Sequence, residues 1–362
     1  MHLRDEFEIC QLYTYLNTAA TSPLPRYVTR EVNEFLTSRA MCAECAWDVW
    51  KEKVYVARQR TAALIGAHWD EVAFLKNTSE GLNTACAMLP SGGNVVTTSS
   101  EFPSNYLLWK RKYGEVRLVG HQDGAYEVGD FEDVIDDDTV AVTISEVTYD
   151  TGSRLPTREI SRIAHEHGAL VVSDAVQALG ALHVDVENEG IDILCSGAHK
   201  WLTAPFGVGI FYVSREVQER FDPPFVGWAS LEDDTDFGID NTRLAHNARK
   251  FEIGNLNFSS ILGLSRSIQT MFDYGVERIE DEVTTLSTYL MERLADGGHT
   301  VLTPWDAHGG IVSVKDDMAS ASVERLLSQR IAVAERGGVR VSPHFWNTKD
   351  DLDAFLDAYM VT

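Results

Sequence analysis

Short hydrophobic runs alternate with amphipathic stretches along most of the chain. Seven runs are rich in β-branched residues and apolar at nearly every position, which is typical of strands buried on both faces. These runs are EVAFLKN (71–77), NVVTTS (94–99), EVRLVG (115–120), TVAVTISEV (139–147), ALVVSDAV (169–176), DILCSG (192–197) and GVGIFYV (207–213). Between two of them, TREISRIAHEHG places Ile160, Ile163 and Ala164 on one helical face. The alternation predicts an α/β protein with a mainly parallel, seven-stranded sheet covered by helices.

The pattern changes near Arg215. A loop-like stretch, FDPPFVGWASLEDDTDFGIDNTR, leads to helical segments around 258–296 and to a final strand and helix pattern, VRVSPHFWNTKDDLDAFLDAYM. A chain of 362 residues is long enough for one large core and a smaller one. We therefore expect a large domain at 21–245 and a smaller α+β domain at 246–362, with residues 1–20 packing on the smaller domain.

Composition and charge narrow the classes of partner and location. The 31 basic and 55 acidic residues give a net charge of −24, which argues against binding to nucleic acid or to anionic membranes. The start, MHLRDEFEIC, has no apolar signal core, and no stretch approaches the ~20 apolar residues of a membrane span. We expect a cytoplasmic protein in which the five cysteines are reduced.

Two short motifs have features of metal sites. CAEC (42–45) has the spacing of a zinc or redox pair, but no second Cys or His pair stands at ligand spacing to complete it. HEH (165–167) ends the predicted amphipathic helix just before Gly168, where histidine favours the helix dipole and glycine ends the helix. The sequence therefore predicts no metal site.

The residues that follow the predicted strands carry the candidate chemistry, because ligands of open α/β sheets bind outside the carboxyl ends of the strands. A buried carboxylate costs several kcal/mol unless it meets a partner, so Asp174 at the end of VVSD predicts a charged partner or a ligand. Lys200 follows another apolar strand about one β-α-β step later. In chain order the set is Thr78, Ser79, Phe102, Asn105, Asp174, Gln177, His199 and Lys200.

This set matches the needs of pyridoxal 5'-phosphate. The cofactor requires a lysine amine, a carboxylate beside its pyridine nitrogen, an aromatic plate against its ring and an anion-binding nest. Lys200, Asp174 and Phe102 can supply the first three, and TSEGLN opens a helix whose free N–H groups and Thr78 and Ser79 hydroxyls can hold a phosphate. Each residue also has a structural explanation, as a helix cap, a core aromatic or a surface lysine. Their order and spacing together favour the cofactor.

The same blocks resemble the class V aminotransferases of PLP fold type I, a family that includes cysteine desulfurases, selenocysteine lyases, isopenicillin-N-epimerase-like proteins and kynureninases. The resemblance runs from YLNTAATSPLP through SDAVQALGALHVDV and DILCSGAHKWL to RKFEIGN and VRVSPHFWNT. It implies that Lys200 bonds covalently to the cofactor, Asp174 partners the pyridine nitrogen and Gln177 contacts the ring hydroxyl. Phe102 matches the position that stacks on the ring, and His199 matches a phosphate-side residue.

The resemblance also implies a substrate site and an assembly. Arg340 matches the arginine that receives the substrate carboxylate, and Asn17, in the YLNTAA block, is the second candidate for binding substrate. GWAS (227–230) and KFEIGN (250–255) resemble segments that reach the cofactor of a neighbouring subunit, which implies a homodimer with shared active sites. Asn255 stands where the family usually has a threonine that contacts the neighbouring phosphate, and an amide can still donate that hydrogen bond.

Three further positions depart from the desulfurase pattern. Gly197 replaces the serine that desulfurases carry three residues before the lysine, with Ser196 one place earlier. Tyr149 replaces an asparagine, as in the epimerase-like and kynureninase branches. RIAVAERGGVRVSPHFWN runs directly from Gly338 to Arg340, without the long loop that carries the nucleophilic cysteine. We therefore expect an enzyme that acts on the Cα of an amino acid by transamination or β-elimination.

Other functions remain open from the sequence. A cysteine desulfurase or an epimerase is the alternative enzyme, and a cofactor-free α/β binding protein is the alternative outside enzymes. The sequence identifies neither the amino-acid substrate nor the fate of the Cα carbanion.

Overall fold

The computed structural model describes residues 3–360. The strands are β1 (Thr14–Tyr15), β2 (Val72–Leu75), β3 (Asn94–Thr98), β4 (Val116–Val119), β5 (Thr139–Ser145), β6 (Leu170–Asp174), β7 (Ile193–Gly197), β8 (Gly209–Val213), β9 (Val312–Val314), β10 (Ile331–Ala332), β11 (Ala334–Glu335) and β12 (Val339–Val341). The helices are α1 (Arg26–Cys42), α2 (Trp47–Leu64), α3 (Thr78–Met88), α4 (Leu107–Tyr113), α5 (Val128–Glu132), α6 (Thr157–Glu166), α7 (Arg215–Arg220), α8 (Phe258–Tyr274), α9 (Val276–Asp296), α10 (Ala319–Ser328) and α11 (Lys349–Met360).

Strands β2 to β8 form one sheet in the order β2-β8-β7-β6-β5-β3-β4. Strand β8 is antiparallel to β2 and β7, and the other neighbouring pairs are parallel. Every residue of β3, β6, β7 and β8 is buried. The predicted seven-stranded, mainly parallel α/β sheet is therefore confirmed.

Alternate residues of the central strands face two different hydrophobic clusters, as the two-residue period of a strand requires. Leu194 of β7 and Tyr212 of β8 pack on one side of the sheet, in a cluster that also contains Trp201. Cys195 and Phe211 pack on the opposite side with the helix that follows β2. The two hydrophobic clusters fix which side chains of each strand face each side of the sheet. They thereby also fix where the loops with polar residues begin.

Helix α6 buries the predicted face with Ile160, Ile163 and Ala164. It ends before Gly168, which has a φ of +76°. The two histidines of HEH contact separate carboxylates, since His165 lies 2.9 Å from an oxygen of Asp192 and His167 lies 2.7 Å from one of Asp137. Their environment is that of a helix end on the surface.

The C-terminal part contains a three-stranded antiparallel sheet in the order β11-β12-β9 and the helices that cover it. The helical region around 258–296 divides into α8 and α9 at Gly275, whose φ is +103°. Strand β1 pairs in parallel with β10, aligning Thr14 with Ile331. The domain boundary at 245/246 stays a prediction. Within residues 3–360, no helix has the length and apolar character needed to cross a membrane.

Candidate active site

The carboxyl ends of the parallel strands open on a cavity of about 280 Å³. Eight of the eleven candidate residues line it, although they come from distant parts of the chain. They are Thr78, Ser79, Phe102, Asp174, Gln177, His199, Lys200 and Arg340. The sheet therefore brings together the lysine, the carboxylate and the aromatic ring that the sequence singled out.

Asp174 and Lys200 have opposite charges that influence each other in this cavity. Asp174 ends β6 and is 2% exposed, and its Oδ1 accepts a hydrogen bond from the Val176 backbone N–H at 3.0 Å. Burial raises the pKa of the Asp174 carboxyl to about 6, although the Lys200 charge acts in the opposite direction. Burial also lowers the pKa of the Lys200 amine to about 8, against the effect of Asp174. A neutral lysine amine is therefore accessible near neutral pH, as a covalent bond to an aldehyde requires.

The N-terminus of α3 forms one wall of the cavity. The Asn77 side chain caps this helix, and Thr78 Oγ1 accepts a hydrogen bond from the backbone N–H of Gly197 at 2.8 Å. The Ser79 hydroxyl donates to the Ser104 hydroxyl at 2.8 Å, and Ser104 also lines the cavity. Hydroxyls beside the positive end of a helix are a suitable environment for a phosphate group. These residues therefore fit the phosphate of pyridoxal phosphate.

Phe102 lines the same cavity and keeps 44% of its surface exposed. The Lys200 amine nitrogen lies 6.0 Å from the centre of its ring. Tyr149 meets Phe102 edge to face, with 5.4 Å between ring centroids. An exposed aromatic ring beside the lysine fits the expected plate for a flat cofactor ring.

The side chains of Gln177 and His199 are fixed by contacts with neighbouring residues of the protein. The Gln177 amide donates to the Ala19 carbonyl at 3.1 Å, and its oxygen accepts from the Trp201 indole N–H at 2.9 Å. One amide proton of Gln177 is left for a ligand. The His199 ring stacks on Phe206, and burial lowers the pKa of His199 to about 4, with the Lys200 charge adding to the effect. His199 is therefore neutral at neutral pH.

Arg340 is 2% exposed and donates through Nη1 to the Tyr149 carbonyl at 2.7 Å. Its buried Nε has no acceptor among the described residues. Burial lowers the pKa of Arg340 to about 10, and the nearby charge of Arg336 acts in the same direction. A buried guanidinium with unused donors can accept a carboxylate.

Asn105 is buried but does not line this cavity, and its side-chain oxygen accepts a hydrogen bond from the Thr143 hydroxyl at 2.6 Å. Two other candidates also lie apart from the cavity. The side-chain oxygen of Asn17 is buried without a hydrogen-bond partner, and the Asn17 backbone forms a bridge to Ser342. Asn255 lines a different cavity, of about 370 Å³, with aromatic neighbours that include Trp69 and Trp228. Within one chain, neither Asn17 nor Asn255 joins the eight lining residues.

Three lining or supporting residues escaped the sequence reasoning. Arg336 lines the cavity from the turn before Arg340. Glu101 is half-buried and accepts hydrogen bonds from the Ser145 backbone N–H and hydroxyl, both at 2.8 Å. Burial raises the pKa of Glu101 to about 7. Ser145 lines the cavity and pairs in register with Asp174. An acidic residue directly before Phe102, after an apolar strand, was the available signal for Glu101.

The Ser196 hydroxyl is buried without a hydrogen-bond partner and does not line the cavity. Among residues 3–360, no cysteine lines it either. Burial raises the pKa of the Cys195 thiol well above its ordinary value, as its apolar strand suggested. Cys42 and Cys45 are exposed, and the part of the chain that the structure describes holds no cluster of three or more potential metal ligands.

Comparison with known proteins identifies the class. The model of the class V aminotransferase family matches residues 14–355. A probable cysteine desulfurase of Methanothermobacter thermautotrophicus is 30% identical over 97% of this chain and 94% of its own length. The apo structure of a cysteine desulfurase from Thermococcus onnurineus has a TM-score of 0.91 at 27% identity, covering 98% of this chain and 96% of that one. A cystine C–S lyase in complex with cysteine persulfide has a TM-score of 0.91 at 20% identity, covering 98% and 99%.

The fold is that of the fold type I pyridoxal phosphate enzymes, as the sequence predicted. The chain belongs to the class V aminotransferase family and is a pyridoxal phosphate-dependent enzyme that acts on the Cα of an amino acid.

Proposed function

We propose that the protein is a β-eliminating C–S lyase, which cleaves the bond between Cβ and sulfur in an amino acid and forms pyruvate, ammonia and a thiol or sulfide. The observation that carries the proposal is the composition of the cavity: Lys200, Asp174, Phe102 and Arg340 meet there, and no thiol of the described chain does. The 30% identical relative is named for cleavage of the same type of bond, which supports sulfur as the leaving atom.

The proposed roles follow from position and charge. Arg340 would bind the substrate carboxylate through its unused donors and so fix Cα in the cavity. Pyridoxal phosphate, when bound, supplies an electron-withdrawing ring that stabilises negative charge at Cα. Asp174 would hold a proton on the pyridine nitrogen, which keeps the ring cationic. The carboxylate that ends β6 would thereby gain the charged partner that its burial requires.

Lys200 is the proposed general base. Burial lowers the pKa of its amine to about 8, so more of the amine is neutral at neutral pH than for an ordinary lysine, and this form can take the Cα proton. The C–S bond then breaks, and the proton held by Lys200 is available to the departing sulfur. Water replaces nitrogen in the remaining three-carbon fragment, which gives pyruvate and ammonia, and no oxidant or reductant is consumed.

A desulfurase would need a thiolate that reaches the substrate sulfur. The Arg336–Arg340 stretch, where desulfurases carry the nucleophilic loop, is a short turn without cysteine. Burial raises the pKa of both the Cys86 and Cys195 thiols, so neither is a ready nucleophile. Cysteine desulfurase remains the second candidate, because the 30% identical relative and the 27% identical structure carry that name.

The two candidates predict different products. The holoenzyme is incubated with cysteine or S-methylcysteine without reductant, and pyruvate, ammonia and protein mass are measured. The lyase gives equal amounts of pyruvate and ammonia with unchanged protein mass, whereas transamination gives no free ammonia. A stoichiometric persulfide on one cysteine, lost together with activity when that cysteine becomes serine, would replace the lyase with the desulfurase.

A homodimer with shared active sites is part of the proposal. The 225–239 segment exposes several large apolar side chains, including Phe225, Phe237 and Ile239, the last of which is 94% exposed. Such a patch favours association with another protein surface. Asn255 lines the neighbouring aromatic cavity together with Trp228 of the same segment. A second copy would bury the apolar side chains and could bring Asn255 to its phosphate site.

The proposed location is the cytoplasm. All five cysteines are free thiols in the structure, which supports a reducing compartment. Fractionation of the source cells, with the protein followed by antibody, would test this location.

A further inference from the structure

Two arginines face the candidate active site from one β-hairpin. Strands β11 and β12 are antiparallel and align Ala334 with Arg340 and Glu335 with Val339. Arg336 therefore begins the three-residue turn that connects them. Both Arg336 and Arg340 line the cavity that contains Lys200.

The turn has little conformational freedom. Gly337 has a φ of +71°, and the Arg336 backbone N–H donates to the Gly338 carbonyl at 2.9 Å. A Cβ atom at position 338 would lie 2.3 Å from the Val314 carbonyl oxygen, so the turn packs directly on β9. The backbone at Arg336 is thus held at a constant position relative to Arg340.

The two guanidinium groups differ in depth. Arg340 is buried and anchored to the Tyr149 carbonyl, whereas Arg336 is exposed and its Nη1 donates to the Glu335 carbonyl at 2.6 Å. The Glu335 carboxylate accepts a hydrogen bond from Ser320. Because both backbone acceptors are neutral, each arginine can present its positive charge to a ligand.

One of the cations that line the cavity has no anion assigned to it by the proposed function. Among the described residues that line it, the cations are Lys200, Arg336 and Arg340, and the carboxylate is Asp174. The proposed function assigns Lys200 and Asp174 to the cofactor ring and the N-terminus of α3 to its phosphate. Arg340 is assigned to the α-carboxylate, which leaves Arg336 without an assigned anion. A local group of cations in a chain of net charge −24 attracts anionic substrates selectively.

We infer that Arg336 binds a second anionic group at the far end of the substrate side chain, so that the preferred substrates are thioether amino acids ending in a carboxylate. This inference rests on the proposed function and names its substrate class. Arg336 is a specificity residue in it, since the exposed guanidinium lies on the outer side of the buried Arg340. A planar guanidinium pairs with a carboxylate through charge-assisted hydrogen bonds, which an amide of the same shape cannot match.

The reaction on such a substrate is the same elimination. The Cα–H bond gives its proton to Lys200, the Cβ–S bond breaks, and the sulfur leaves with the acidic fragment as a thiol after taking a proton. Addition of one water then yields pyruvate and ammonia. With S-carboxymethylcysteine the leaving group is thioglycolate.

S-carboxymethylcysteine and S-carbamoylmethylcysteine form a matched pair, because they differ only in a terminal carboxylate or amide. Pyruvate release by the holoenzyme gives kcat/KM for both. We expect the acid to be preferred by about tenfold or more, mainly through KM, as a charge-assisted contact in the bound substrate would give. Arg336→Gln reduces the ratio to within about twofold, and Arg336→Lys keeps part of it. Arg111→Gln, which removes an exposed arginine of α4, is the matched control and leaves the ratio as in the wild type.

A second readout does not depend on turnover. Calorimetry of the holoenzyme with glutarate and with butyrate compares a dicarboxylate with a monocarboxylate. We expect glutarate to bind more tightly, and Arg336→Gln to abolish the difference. Equal turnover of the two thioethers, unaltered by Arg336→Gln, would overturn the inference and leave the lyase in place. If cysteine releases pyruvate and neither thioether does, the substrate class is wrong and the lyase stands. If no tested amino acid releases pyruvate, the proposed lyase fails, and the Arg336-dependent preference for glutarate alone decides whether the second anion site exists.

Discussion

Thr78 Oγ1 accepts a hydrogen bond from the backbone N–H of Gly197 at 2.8 Å, across 119 residues of chain. This contact ties the N-terminus of α3 to the end of β7, three residues before Lys200. The phosphate wall and the lysine loop of the candidate site are thereby held together by one hydroxyl. The contact is a direct target for mutation.

Replacing Thr78 with valine should weaken binding of pyridoxal phosphate by about tenfold, because it removes a hydroxyl that would bond to the phosphate, and hydrogen bonds to charged groups contribute about 1.5–3 kcal/mol. Thr78→Ser keeps the oxygen and should restore most of the affinity. Titration of cofactor-free protein with pyridoxal phosphate, followed by absorbance, gives both dissociation constants. Thr84→Val is the control, since the Thr84 hydroxyl donates within the same helix and Thr84 does not line the cavity. An equal loss in both variants would argue against a specific role for Thr78.

Lys200 should carry the cofactor covalently. After reduction of the holoenzyme with borohydride, peptide mapping by mass spectrometry is expected to find one pyridoxyl group on Lys200. Lys200→Ala should abolish turnover without loss of folded structure, because the side chain lines a cavity. Modification of a different lysine in a fully loaded preparation would refute the assignment.

Asp174→Asn should stabilise the cofactor-free protein while abolishing activity. Burial raises the pKa of the Asp174 carboxyl from 3.8 to about 6, so the folded state binds this proton more tightly than the unfolded state. Stability of the wild type therefore falls as pH rises through that interval, and the asparagine variant lacks this loss. Above pH 6 the variant should be more stable by up to about 3 kcal/mol. Urea unfolding between pH 4 and pH 8 measures the difference, which should disappear at the acidic end; a variant less stable than wild type throughout would contradict the expectation.

A shared active site can be tested by mixing two inactive subunits. Lys200→Ala and Asn255→Ala homodimers are combined under conditions that exchange subunits. If Asn255 acts across the interface, each mixed dimer contains one site with both native residues, and a random mixture recovers about a quarter of wild-type activity. Light scattering tests whether each variant is a dimer. If the subunits are shown to have exchanged and no activity is recovered, Asn255 does not act on the active site of the neighbouring subunit.

The positions of Asp174 and Lys200 were predictable because their signal is local. Each follows a short apolar strand, and the carboxyl ends of parallel strands meet at one edge of a sheet. The same rule indicated Thr78, Ser79 and Phe102. Hydrophobic periodicity needs only neighbouring residues, so the seven strands and the fold class followed from the sequence.

Tertiary structure alone decided the remaining contacts. Arg336 lies in a turn that no sequence pattern distinguishes from other turns. It lines the cavity because of the position that the β11–β12 hairpin takes in the folded chain. The hydrogen bonds that hold the Gln177 side chain, to Ala19 and Trp201, and the position of Asn255 in a separate cavity also depend on the tertiary structure. The sequence by itself determined which strands form and which residues end them, because burial patterns are local. Which side chains then share one cavity depends on packing between segments more than a hundred residues apart. Local sequence patterns contain no information about the distances between such segments.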